Sequence, residues 1–224
     1  MFQNMQIIDQ PVFYLFLAVS ILLSLGYIWG KRRNTRIHLS AFNAVVDCVK
    51  PKDQNFTNIG GLTGYHANLI PKKNKVVGRV DLTLTMLPRQ SWLYLPFSWI
   101  SMRFDRLFVT LLFAKKVKPS FQEGHLIEKE FGKRNIGKID NPEDFRLESL
   151  QWGGVEYELY TKDDVLSKGF KELIHNVPDP VIVKHIALVP KDDKAYFFVI
   201  PVSGKVSLVF GDIYNWILKM IENG

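Results

Sequence analysis

Cysteine is almost absent from this chain of 224 residues, where Cys48 stands alone. A single thiol excludes an internal disulfide and any cysteine-rich zinc site, and it fits a reducing compartment. The sequence also has no H-E-x-x-H, no G-x-S-x-G elbow, no C-x-x-C and no Walker lysine, so the common hydrolase, metalloprotease, redox and P-loop signatures are missing. Five histidines (His38, His66, His125, His175 and His185) are scattered without ligand spacing and are expected as surface or satisfied polar groups. Asp192 with Asp193, and Glu156 with Glu158, are carboxylate pairs of a kind that acid–base chemistry uses, but such pairs in a turn or on a strand face are common without catalysis. The expectation is a protein that is not an enzyme and needs no cofactor or metal. Repeats and low-complexity tracts are absent too.

Charge is missing from the whole of residues 12–29, eighteen in a row. As a helix they span about 27 Å, close to the hydrocarbon thickness of a bilayer. Pro11 precedes the run; Phe13, Tyr14 and Phe16 lie near one end and Tyr27 with Trp29 near the other, as interfacial aromatics do. A cleaved signal peptide would carry its basic cluster ahead of the run, and a buried core helix would show a polar stripe. Here Lys31, Arg32, Arg33 and Arg36 follow the run, Asp9 is the only ionisable side chain before it, and only Ser20 and Ser24 interrupt it. The positive-inside rule then predicts three parts: residues 1–11 outside, a signal anchor over 12–30, and a cytosolic domain over 31–224. The membrane is the endoplasmic reticulum if the chain is eukaryotic and the plasma membrane if it is archaeal.

The cytosolic part is rich enough in aromatics, with 16 Phe, 8 Tyr and 5 Trp in the chain, to bury a core. Its charge is split. Residues 31–134 hold 19 Lys or Arg against 7 Asp or Glu, and residues 135–224 hold 10 against 14. The basic half adjoins the membrane, and its expected partners are anionic: lipid headgroups or ribosomal RNA. Arg32, Arg33 and Arg36 lie within reach of the positive-inside bias, which extends about 15–20 residues from the span. Lys72, Lys73, Lys75, Lys115, Lys116 and Lys118 lie beyond it. These nine are the candidate contacts.

Ile37, Ala41, Val45 and Val49 recur at helical spacing over 34–49, a helix that runs on from the anchor or begins afresh, and Pro51 ends it. Residues 52–75, rich in Asn, Gly and Lys, read as loops, with Gly60-Gly61-Leu62-Thr63-Gly64 a turn rather than a phosphate loop. Val80, Leu82, Leu84 and Met86 alternate with polar residues as a half-buried strand does. Residues 92–114 are apolar enough to suggest a second span, but Arg103, Asp105 and Arg106 stand near their middle. The preferred reading is a short aromatic helix over 92–100 and a strand over 107–113. Trp92, Tyr94, Phe97 and Trp99 then pack in the core or dip into a membrane interface. Strands are expected at 125–131, 156–161, 181–189 and 195–202, the last two as a hairpin, with helices at 163–174 and 206–221. This mixture predicts an α+β domain with a largely antiparallel sheet.

At the join of anchor and domain, Tyr27-Ile28-Trp29-Gly30-Lys31-Arg32-Arg33-Asn34-Thr35-Arg36, then Phe42-Asn43, then Asn55-Phe56-Thr57, resemble the calumin family. That family supplies the coiled-coil-domain-containing subunit of the PAT complex within the multipass translocon. Gly30, Lys31, Asn34, Thr35, Arg36, Phe42 and Asn43 carry the sharp part of the likeness; Gly78-Arg79, Leu87-Pro88-Arg89-Gln90 and residues 107–112 follow in the same order. The resemblance implies an N-out anchor, a cytosolic domain beside the Sec channel, and a small multi-spanning partner similar to Asterix. It also implies help for multipass proteins as they insert and assemble. The family's acidic segment before the anchor and its basic coiled-coil tail have no counterpart here. The likeness is to a minimal relative, eukaryotic or archaeal, expected to lack the tail that reaches the ribosome.

Overall fold

The computed structural model describes residues 11–72, 74–101, 104–116, 122–135, 139–177, 179–180 and 182–223. The uncharged run and the amphipathic stretch after it form one helix, α1 (Pro11–Val49), of 39 residues, about 58 Å long. Only 6% of its apolar window is buried, so α1 is a candidate membrane span near the N-terminus. The helix stops where Lys50 turns to a φ of 47° and Pro51, which cannot donate to a helical carbonyl, starts the first strand.

The remaining elements are β1 (Pro51–Asn58), β2 (Gly64–Pro71), β3 (Val77–Thr85), α2 (Leu95–Ser101), β4 (Arg106–Phe113), β5 (Gly124–Glu128), α3 (Lys129–Asn135), β6 (Arg146–Trp152), β7 (Val155–Thr161), α4 (Asp164–Asn176), β8 (Val183–Val189), β9 (Lys194–Val199) and α5 (Val206–Asn223). The strands make one nine-stranded sheet in the order β1-β2-β3-β4-β9-β8-β5-β7-β6, antiparallel at every pairing. The fold is α+β.

Period-two alternation sends Val80, Leu82 and Leu84 of β3, Leu107, Val109 and Leu111 of β4, and Ala195, Phe197 and Val199 of β9 to one face, where all are buried. The second half of α1 covers that face together with α4 and α5. Ile37, Phe42, Val45 and Val49 give α1 four large buried side chains there, on the order of 8 kcal/mol of apolar burial. A free hinge between the apolar half of α1 and the domain is incompatible with that contact. The opposite face is polar over β2 and β3, where His66 bonds Thr83 at 3.0 Å and Asn68 at 3.2 Å. Over β5 and β7 it carries a second small core of Ile127, Ile139, Phe145 and Tyr160.

Two expectations need correction, and one strand was not expected. Of residues 52–75, expected as loops, 52–71 belong to the hairpin of β1 and β2. β1 is an edge strand exposed along nearly its whole length, so it has no apolar alternation to announce it. The stretch 125–131 splits into β5 and α3, with Lys129 opening the helix. β6, unanticipated, gains its strand character from pairing with β7.

Candidate functional site: the root of the long helix

One stripe of α1 faces the domain: Gly26, Gly30, Asn34, Ile37, Ala41, Val45 and Val49, the i, i+3/i+4 spacing of a single helix face. It starts inside the uncharged run. A Cβ at Gly30 would overlap the Arg89 carbonyl, and one at Gly26 would overlap the Trp92 indole. The two glycines therefore let the 87–92 segment lie directly against the helix.

A buried polar latch holds that segment. Asn34, fully buried, donates through Nδ2 to the Leu87 carbonyl at 2.9 Å and the Leu62 carbonyl at 3.1 Å. Its Oδ1 accepts from Arg89 Nη1 at 3.0 Å. The Arg89 guanidinium also makes two 2.8 Å bonds to the Asp105 carboxylate, the strong bidentate geometry. Asp105 Oδ1 in turn accepts from the Leu87 backbone at 2.8 Å. Each partner of the buried ion pair is thus answered, as its desolvation requires.

The outward faces of the same helical turns are basic. Lys31, Arg32, Arg33 and Arg36 are exposed, and the Arg33 guanidinium lies 5.4 Å from the Trp29 ring centroid. Trp29, Arg32, Arg33, Arg36 and Ile37 of α1 line an open cleft of about 690 Å³ together with Leu87, Phe104, residues 200–203 and the Arg89–Asp105 pair, whose carboxylate is already neutralised by Arg89. Ser40 anchors the end of the 200–203 segment through a 2.9 Å bond from the Gly204 backbone. Three guanidiniums beside apolar side chains suit an anionic group carrying an apolar tail.

The other expected contacts lie elsewhere. Lys72 and Lys75 sit in the β2–β3 turn, and Lys115 and Lys116 just after β4, all exposed. The Ala114–Val76 bond at 2.7 Å joins those two segments, and the Lys72–Lys50 bond at 3.3 Å ties the turn to the C-terminal end of α1. Along α1, Arg36 and Lys50 are separated by about 21 Å. The described candidate contacts therefore divide into a cluster at the root of the domain and a cluster at its far end. Lys73 and Lys118, like Arg103, lie outside the described residues.

The junction residues now have separate physical roles. Gly30 and Asn34 seat the 87–90 segment, Phe42 joins the core, Lys31 and Arg36 face outward, Thr35 is half-buried and Asn43 is exposed. Sequence reading missed the Arg89–Asp105 pair, because Asp105 stands between Arg103 and Arg106 and nothing local points to Arg89. It also missed a chain of hydrogen bonds on the second sheet face. There His125 Nε2 bonds Glu123 at 2.9 Å and His125 Nδ1 bonds His185 Nε2 at 3.2 Å, with both histidines buried. That bond from His125 is the main force holding Glu123 below the ordinary carboxylate range. Beside the histidines, burial pushes Tyr196 up to about 12. Of the paired carboxylates, Glu156 bonds Lys129 and Ser149, Glu158 accepts from Tyr160, and Asp192 pairs with Lys194. Among the described residues no group of three or more His, Cys, Asp or Glu side chains is placed to hold a metal ion.

Fold and site together define an α+β domain continuous with a candidate membrane span and carrying separate basic clusters at its root and tip. No protein-family model matches the chain, and no curated protein matches it.

Proposed function

We propose that this chain is a single-pass membrane protein, N-terminus outside and domain in the cytosol, that works as a non-enzymatic accessory subunit of the Sec translocon and ribosome insertion machinery. In that role it assists multipass proteins beside the channel and an Asterix-like small membrane partner, as the likeness to the calumin family implies. The membrane is that of the endoplasmic reticulum in a eukaryote and the plasma membrane in an archaeon. The observation that carries the reading is the tip cluster of Lys72, Lys75, Lys115 and Lys116. It stands about 21 Å along α1 from the root cluster, well beyond the roughly 8 Å over which headgroup charge acts in physiological salt. Anionic lipid accounts for the root cluster and leaves the tip without a partner; ribosomal RNA supplies one.

The test is a mild-detergent pull-down of the intact protein from its own membranes, read by mass spectrometry. Channel subunits or ribosomal proteins are expected at about 50 mM salt and lost by about 200 mM. Combined Lys75→Glu, Lys115→Glu and Lys116→Glu exchanges should abolish their recovery without releasing the protein from the membrane. Recovery of the chain with lipid alone overturns the reading. The arginine-walled cleft favours a second one, a tethered module that binds anionic lipid. Retention of anionic phospholipid through delipidation, lost on Arg32→Ala, Arg33→Ala and Arg36→Ala, with no channel subunit or ribosomal protein recovered at low salt, distinguishes it.

A further inference from the structure

The face of the domain beside the candidate span carries apolar side chains that the core does not absorb. From Gln90 to Met102 the sequence has no charged residue. Within it Trp92, Leu93, Tyr94, Phe97, Trp99 and Ile100 are 43–79% exposed. Ser98 is the buried residue of α2, its hydroxyl returned to the Leu95 carbonyl at 2.7 Å, so the polar side of this short helix faces the protein and the aromatic side faces out. That is the reverse of a solvated surface helix.

Its position says what covers it. The Trp92 indole lies against Gly26, five residues before Lys31, the first charge after the run. On the helix axis that is about 7.5 Å toward the apolar end. The Arg89–Asp105 and Asn34 bonds fix the start of the segment to α1, so α2 has a set height relative to the span. We infer that residues 92–100 are a second membrane contact: α2 lies in the cytosolic-side headgroup and acyl boundary of the bilayer that α1 crosses, with Phe97, Trp99 and Ile100 facing the lipid. The inference rests on α1 being a span and deepens that part of the proposed function. Continuity with the span, the aromatic character suited to the interface and the neighbouring cationic belt of Lys31, Arg32 and Arg33 all point to the same occupant. Aromatic side chains at that depth with lysines and arginines at headgroup level match an anionic leaflet. The chain then meets the bilayer at two points beside one another, which fixes the domain against rotation about the α1 axis.

The experiment uses the full chain with Cys48→Ser in nanodiscs of phosphatidylcholine and phosphatidylserine. An environment-sensitive fluorophore is attached at Phe97→Cys, at Leu17→Cys in the span, or at Lys191→Cys in the distal hairpin turn. The expected result is blue-shifted emission and several-fold stronger quenching by shallow spin-labelled lipid at 97 than at 191, with 17 quenched by deep label. A water-like, unquenched label at 97 beside a quenched label at 17 overturns the inference and leaves the span standing. An unquenched label at 17 overturns the span and the inference together. A label at 97 that is exposed in lipid-only discs and shielded from iodide in native membranes assigns α2 to a protein partner and overturns it too.

Discussion

Asn34 and Arg89, 55 positions apart in the chain, meet at 3.0 Å where the long helix enters the domain. This bond belongs to a fully buried side chain that also serves two backbone carbonyls, so the helix is keyed to the 87–90 segment by polar geometry as well as by packing. Asn34→Leu keeps a similar volume but strips the Leu62 and Leu87 carbonyls and the Arg89 guanidinium of a partner. Unfolding in urea, followed for the full chain in detergent, should show a loss of about 3 kcal/mol, a large share of an ordinary domain's stability.

Adding one methyl group at either of the two seated glycines should have unequal consequences. At Gly30 it meets the Arg89 backbone, which is pinned by the Asp105 pair, and overpacking of this kind costs about 1–3 kcal/mol. At Gly26 it meets the Trp92 ring, which is 43% exposed and has room to swing. Gly30→Ala should therefore lower the melting temperature clearly more than Gly26→Ala. Equal or reversed effects would show that the segment is not seated on α1.

Acid should weaken the fold through Glu123. The hydrogen bond from His125 holds this carboxyl below its ordinary value of 4.5, so its ionised form is favoured in the folded state. A group depressed in this way stabilises the fold above its unfolded pKa, and that contribution is lost as pH falls through the lower folded value. Thermal unfolding between about pH 3 and 7 should show a steeper acid limb for the native chain than for Glu123→Gln. The variant should be the less stable of the two near neutrality and close to parity at the acid end.

Orientation can be read from a residue that needs no engineering. Asn55-Phe56-Thr57 is a glycosylation acceptor triplet, and in β1 it lies exposed on the edge of the sheet. In glycosylation-competent microsomes the full chain should gain no glycan at Asn55, because the proposed topology keeps the domain on the cytosolic side. A mass shift removed by an endoglycosidase would reverse the orientation.

Local pattern announced much of the fold. An uncharged run of 18 residues, the helical spacing of Ile37, Ala41 and Val45, and the alternation of Val80, Leu82 and Leu84 each record a neighbour within one turn or one pleat. The hairpin of β8 and β9 and the closing helix α5 were legible for the same reason. β1 was not, because an exposed edge strand needs only its partner's backbone, and the polar string Pro51-Lys52-Asp53-Gln54 carries no trace of β2.

What the sequence by itself determined is therefore the chemistry available: a long apolar helix, a basic half that follows it, an aromatic stretch after residue 90, and an α+β composition. The tertiary structure alone decided how that chemistry is distributed. Sheet register sent Lys72, Lys75, Lys115 and Lys116 to the tip while α1 kept Arg32, Arg33 and Arg36 at the root. Glycines at positions 26 and 30 brought Trp92 and its exposed neighbours level with the end of the uncharged run. Asp105 reached Arg89, and His185 reached His125 across 60 positions, only through strand pairing. Hydrogen-bond register and close backbone approach act between residues remote in the chain, and periodicity within one segment does not encode them.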